Sequence, residues 1–171
     1  MRRGIGTVLL AWLAFIGVDL LVHAGILASM YVDPDPAILG AGEAFRRIPL
    51  GYAAFLLLVI TIFWLLRRAG IRTWLGGLRF GLVFGFMLGA VSFLAQYSIL
   101  RVGPGMLAGW ALGNTVESAA AGAVAGMGLS QASMKKVAVV AISIFAACLV
   151  VTLLLQATGL APPMESTPAG G

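Results

Sequence analysis

Five apolar runs, each close to twenty residues and nearly free of charge, dominate this chain. Crossing a hydrocarbon layer at 1.5 Å per residue takes about 20 mainly apolar residues. Inside lipid, a backbone must satisfy its own N–H and C=O groups, which for runs of this length means helices. The runs cover about 4–30, 48–66, 78–100, 105–129 and 137–158. The expected fold is therefore all-α: one integral membrane bundle of five transmembrane helices over residues 1–158. A flexible C-terminal tail, 159–171, rich in Pro, Gly, Ser and Thr, follows. Composition agrees, because only 10% of the residues are charged, whereas a soluble domain carries about 25%.

The first run is longer than the roughly 7–15 apolar residues of a signal h-region and contains Asp19, so it reads as a retained span. Pro49 falls in the first turn of the second run, where its missing N–H costs nothing. Between spans three and four, Arg101-Val-Gly-Pro-Gly105 reads as a hairpin turn. Only Val32–Arg47 is long enough to hold more. There Asp35 and Pro36 are the expected cap and first residue of a short interfacial helix over Ala37–Phe45. Asp33, Asp35 and Glu43 match no calcium loop and read as solvated.

Lys and Arg set the orientation. With the N-terminus inside, Arg2, Arg3, Arg67, Arg68, Arg72, Arg79, Lys135 and Lys136 fall on the cytoplasmic side, leaving only Arg46, Arg47 and Arg101 outside. The N-terminus is expected in the cytoplasm and the C-terminus outside, in a bacterial-type inner (plasma) membrane. The net charge of +5 belongs to this pattern, so no nucleic-acid partner is expected.

Two kinds of intramembrane residue invite a role. Gly77, Gly81, Gly85 and Gly89 recur every fourth residue in span three, and Gly105, Gly109 and Gly113 do so in span four. Such rows let backbones approach closely, as in GxxxG packing, either within the chain or against itself or another membrane protein. Ionisable groups inside a span are rarer. Asp19 and His23 share a face of span one, Glu117 lies mid-way along span four, and Asn114 and Ser118 are its neighbours. Rotation decides whether Asp19, His23 and Glu117 meet. Two carboxylates and one imidazole form a possible but under-specified metal set. Gln96, Tyr97 and Ser98 sit near the outer end of span three, where the same region would lie.

Patterns such as HExxH, GxSxG, CxxC and the P-loop are absent, His23 is the sole histidine and Cys148 the sole cysteine. No enzyme activity, cofactor, metal centre or disulfide is expected. Two readings remain. One is a non-catalytic accessory or assembly protein of the membrane, with buried polar residues fixing helix packing and lipid as its surroundings. The other is a small carrier or channel with a proton or cation site at Asp19, His23 and Glu117.

In layout the chain resembles small uncharacterised bacterial inner-membrane proteins of four or five spans. The features that carry the likeness are Asp19 in span one, the loop ending in Tyr31-Val-Asp-Pro and the glycine-rich third span. With them go Trp110-Ala-Leu-Gly-Asn-Thr-Val-Glu117 and Gly122-Ala-Val-Ala-Gly126. The resemblance covers roughly residues 10–130, leaves span five outside, and implies no particular activity.

Overall fold

A computed structural model describes residues 2–32 and 37–162. They form five long helices: α1 (Arg2–Leu21), α2 (Ala41–Arg68), α3 (Trp74–Ile99), α4 (Pro104–Leu129) and α5 (Met134–Ala157). No strand occurs among the described residues. Among the described residues, four segments are long and apolar enough to cross a membrane: Arg2–Ile26, Gly42–Arg68, Trp74–Ile99 and Met134–Ala157. Helix α4 is as long as α3 but less apolar, being built largely of Gly, Ala and small polar residues. Burial explains this composition. Ala121, Val124 and Ala125 lie in the central core with Phe15 of α1 and Ile62 of α2, so α4 contacts helices where a peripheral helix meets its solvent.

Helix ends follow local chemistry. Thr73 caps α3, its Oγ1 accepting from the Gly76 N–H at 3.1 Å, and Ser133 caps α5 in the same way through Lys136 at 3.3 Å. Pro104 opens α4. The carbonyls at the far end of α4 are collected by a side chain from another helix. Arg3 donates to the Gly128, Ser130 and Ala132 oxygens at 3.1, 2.7 and 2.6 Å, satisfying acceptors that a helix end leaves free. This also pins the start of α1 to the α4–α5 turn. Gly4 packs beside Phe63, and Thr73 lies against Gly126. The beginnings of α1, α3 and α5 and the ends of α2 and α4 thus share one end of the bundle, with the larger group of basic residues.

Several expected boundaries change. Helix α2 starts at Ala41, capped by Gly40, and continues unbroken, so there is no separate interfacial helix over Ala37–Phe45. Pro49 accordingly sits inside α2 rather than in its first turn. Its neighbours Glu43 and Arg47 form an exposed ion pair at 2.5 Å on the preceding turns. The proposed cap Asp35, together with Asp33 and Pro36, lies outside the described residues. Beyond α5 the chain turns back on the helix end: Gly159 has φ +74°, the Ala161 N–H donates to the Leu155 oxygen at 2.9 Å, and Ala161 is buried. The rest of the expected tail, 163–171, lies outside the described residues.

The first span is not one regular helix. After Leu21 it widens into a π turn, Val22–Ile26, where the Leu27 N–H reaches the Val22 oxygen at 2.8 Å, and then tightens into a 3-10 turn, Ala28–Tyr31. The Gln156 amide of α5 donates to the Ala24 carbonyl at 2.9 Å within the π turn. Close by, Thr152 of α5 is buried near Gly25.

Candidate functional site

Asp19 lies in the last turn of α1, and His23, four residues on, is carried by the π turn. Glu117 faces them from the middle of α4. His23 Nε2 is 3.7 Å from Asp19 Oδ1 and 3.7 Å from Glu117 Oε1, placing the imidazole edge between two carboxyl groups. One ligand-capable atom from each residue lies within 4.8 Å of the other two. Side-chain exposure falls from 32% for His23 through 12% for Asp19 to 2% for Glu117, so the cluster runs from a reachable imidazole to a buried acid. Glu117 Oε1 has no hydrogen-bond partner. A buried acceptor left alone loses its water without compensation, typically at about 1–3 kcal/mol or more when charged.

The other imidazole nitrogen is held. His23 Nδ1 lies 2.7 Å from Tyr31 Oη, and the Trp110 indole N–H donates to the same oxygen at 2.7 Å. The 3-10 turn folds Tyr31 back to Trp110 of α4, about two turns before Glu117, and thereby links the end of span one to α4. Val102, Met106 and Leu107 form an apolar cluster beneath this link, with Tyr31 and Trp110 packed on it. The hairpin between α3 and α4 therefore supports the aromatic pair, which in turn orients His23.

These groups surround a cavity of about 370 Å³. That lies within the range of small-molecule pockets, about 300–1,000 Å³. Besides the titratable cluster its wall includes Asn114 of α4, Ser92 and Gln96 of α3 and the rings of Phe55 and Phe93. Asn114 and Gln96 thus join the region expected of them. Tyr97 and Ser98 do not; both are exposed, and Ser98 Oγ donates to the Ala95 carbonyl at 2.7 Å.

The glycines divide between two faces of α4. A Cβ on Gly77 would run into the Gly122 carbonyl, one on Gly81 into the Ser118 carbonyl, and those on Gly85 and Gly89 would lie 2.5 Å from the Asn114 and Ala111 oxygens. These four positions are backbone against backbone, on the α4 face carrying Ala111, Ser118, Gly122 and Gly126. Gly109 and Gly113 point elsewhere. A Cβ on Gly109 would meet Leu27 at 2.9 Å, and one on Gly113 would meet Val22 and Glu117 Oε1 at 3.2 Å. Gly113 therefore gives the Glu117 side chain its room. Gly105, the first of the expected row in span four, has open space around it.

No protein-family model, no characterised protein and no solved structure matches this chain. The site rests on its own geometry. Reasoning from sequence alone singled out Asp19, His23, Glu117 and Asn114, and the fold gathers all four around one cavity. It missed the positioning role of Tyr31 and Trp110. An aromatic at the end of a span is usual at a membrane interface, and only the paired turns after Leu21 reveal that Tyr31 returns to the histidine.

Proposed function

We propose that this chain is an integral protein of a bacterial-type plasma membrane, crossed by all five helices, and that it handles protons or a cation at Asp19, His23 and Glu117. In that membrane the N-terminus faces the cytoplasm and the C-terminus the outside. Crossing by α4 is supported by its length, which equals that of α3, and by its close packing along α3 and the central core. The orientation is supported by eight of eleven Lys and Arg falling on one side of the layout.

One observation carries the functional reading: the unpartnered, buried oxygen of Glu117 borders a cavity beside a second carboxyl group and an imidazole. Intramembrane acids that merely knit helices together find donors in neighbouring helices, whereas those on ion and proton paths face a cavity. A small carrier or channel is therefore favoured over an accessory protein. The accessory reading asks buried polar residues to fix helix packing, and Glu117 Oε1 has no partner through which to do so; the glycine row Gly77, Gly81, Gly85 and Gly89, open in the sequence to another copy or protein, is covered by α4.

Two experiments test these statements. In a chain with Cys148→Ser, a cysteine placed at Glu43 should react with a membrane-impermeant thiol reagent from outside, while cysteines at Gly70 or Ser133 should not. The reverse pattern would invert the topology. In liposomes, the wild-type protein should carry protons or cations down an imposed gradient, and a folded Glu117→Gln variant should not. A folded wild type that moves neither protons, potassium nor divalent cations would return the accessory reading.

A further inference from the structure

Resting on the cation-site reading, we infer that Asp19 Oδ1, His23 Nε2 and Glu117 Oε1 bind a divalent first-row transition-metal ion, with Tyr31 and Trp110 as positioning residues for the imidazole. Geometry supplies the first argument. Around a tetrahedral ion with bonds of about 2.1 Å, ligand atoms stand about 3.4 Å apart. Here Nε2 is 3.7 Å from each carboxylate oxygen, and one ligand atom from each of the three residues lies within 4.8 Å of the other two. Small side-chain rotations close that gap without moving a helix.

Donor chemistry narrows the ion. Sodium, potassium and calcium favour sets of oxygen ligands, and magnesium keeps a shell of waters in a strict octahedron. One imidazole nitrogen with two carboxylate oxygens suits zinc, manganese or iron in the divalent state. Two carboxylates and a neutral imidazole also balance a 2+ charge, which matters where little water screens it. An organic ammonium would satisfy the carboxylates but would leave Nε2 without a matching role.

The surroundings of His23 are those of a metal ligand. Histidines that bind metals engage their second nitrogen with a hydrogen-bonding partner that fixes the ring, and Tyr31 Oη performs this task at Nδ1. Trp110 in turn fixes Tyr31. Three protein ligands beside a cavity of about 370 Å³ leave coordination positions open to water, as suits an ion that exchanges rather than one locked into structure. The unpartnered Glu117 Oε1 then acquires its partner. Binding requires the nitrogen lone pair and ionised carboxylates, so loading displaces whatever protons these groups hold, giving a direct link between metal and proton movement.

The test uses the full-length chain in detergent micelles, with any histidine tag removed and Co²⁺ as a spectroscopic probe. One Co²⁺ per chain should bind and produce visible d–d absorption, which Zn²⁺ abolishes and equimolar Mg²⁺ does not. Loading should release protons into an unbuffered solution. Variants Asp19→Asn, His23→Gln and Glu117→Gln, each checked for native helicity and elution volume, should lose the signal. Tyr31→Phe should keep the stoichiometry but weaken affinity by about 10–100-fold and shift the absorption band, as loss of a ring-orienting partner does. Cobalt binding that survives His23→Gln overturns the assignment. So does a folded wild type that binds neither Co²⁺ nor Zn²⁺. If that wild type still conducts protons or potassium in a Glu117-dependent way, the cation-site reading stands and only the metal falls; if it conducts nothing, both fall.

Discussion

Glu117 and Ser118 are neighbours on α4, and each buries a side-chain oxygen that has no partner, yet they look into different surroundings. Ser118 lies in the seam with α3, where a Cβ on Gly85 would come within 2.7 Å of its own Cβ. Glu117 looks toward α1 and a cavity. In the seam, space has been removed by deleting side chains, so only a small polar group fits and nothing can be admitted. At the cavity, space has been kept by Gly113, and the groups around it are of the kinds able to bind or exchange charge. One helix thus separates a dry packing face from a polar face by about 100°, the turn between successive residues.

The harshest way to break this contrast is to fill the seam. Gly81→Leu drives a branched side chain into the Ser118–Ala119 backbone, which cannot yield as a flexible side chain would. Overpacking of this kind costs about 1–3 kcal/mol and more where backbone must move. Gly81→Leu and Gly77→Leu should therefore elute as aggregates or melt far below wild type when followed by circular dichroism in detergent. Gly105→Leu, with open space around it, should match wild type. Equal behaviour of the three variants would show that the seam is not packed as described.

This contrast also marks how far the sequence was legible. The long apolar runs foretell the helices, since their length and backbone chemistry leave no other fold in lipid. The fourfold spacing of Gly77 to Gly89 foretells a close-contact face, and i, i+4 spacing puts Asp19 beside His23. Periodicity names a face but not its partner. Gly109 and Gly113 share a spacing with the span-three row, yet they meet Leu27, Val22 and Glu117 instead of α3. Nor does local pattern reveal the π turn after Leu21, whose Ala24 carbonyl accepts from Gln156, 132 residues away. Tyr31 follows from that turn, so it was hidden with it. Helix α2 extends past its apolar run because a helix need not stop where lipid does.

A milder change separates chemistry from packing on the polar face. Glu117→Gln keeps shape and one acceptor oxygen while removing the ability to carry charge or a proton. Its stability should stay within about 1 kcal/mol of wild type, the ordinary scale of one hydrogen-bonding change. Cation binding or flux, by contrast, should disappear. Gly113→Ala should act in the same direction more gently, because the added methyl presses on Glu117 Oε1 and Val22 at 3.2 Å. A Gln variant that binds and conducts like wild type would strip Glu117 of its role and make both faces of α4 packing surfaces.

The smallest expected effect is at Ser118→Ala. Alanine retains the Cβ that packs against Gly85 and removes only a hydroxyl that is wholly buried and unpartnered. Removing an unsatisfied polar atom relieves a desolvation penalty rather than breaking a bond, so stability should be unchanged or rise by up to about 1 kcal/mol. Cation binding should not change, because Ser118 lies in the seam and does not line the cavity. Denaturation and cobalt titration on the same preparation measure both quantities. A Ser118→Ala protein that is clearly destabilised would mean that the hydroxyl serves a partner in the seam. One that loses cobalt would mean that the two faces communicate, and the separation drawn between adjacent residues would not hold.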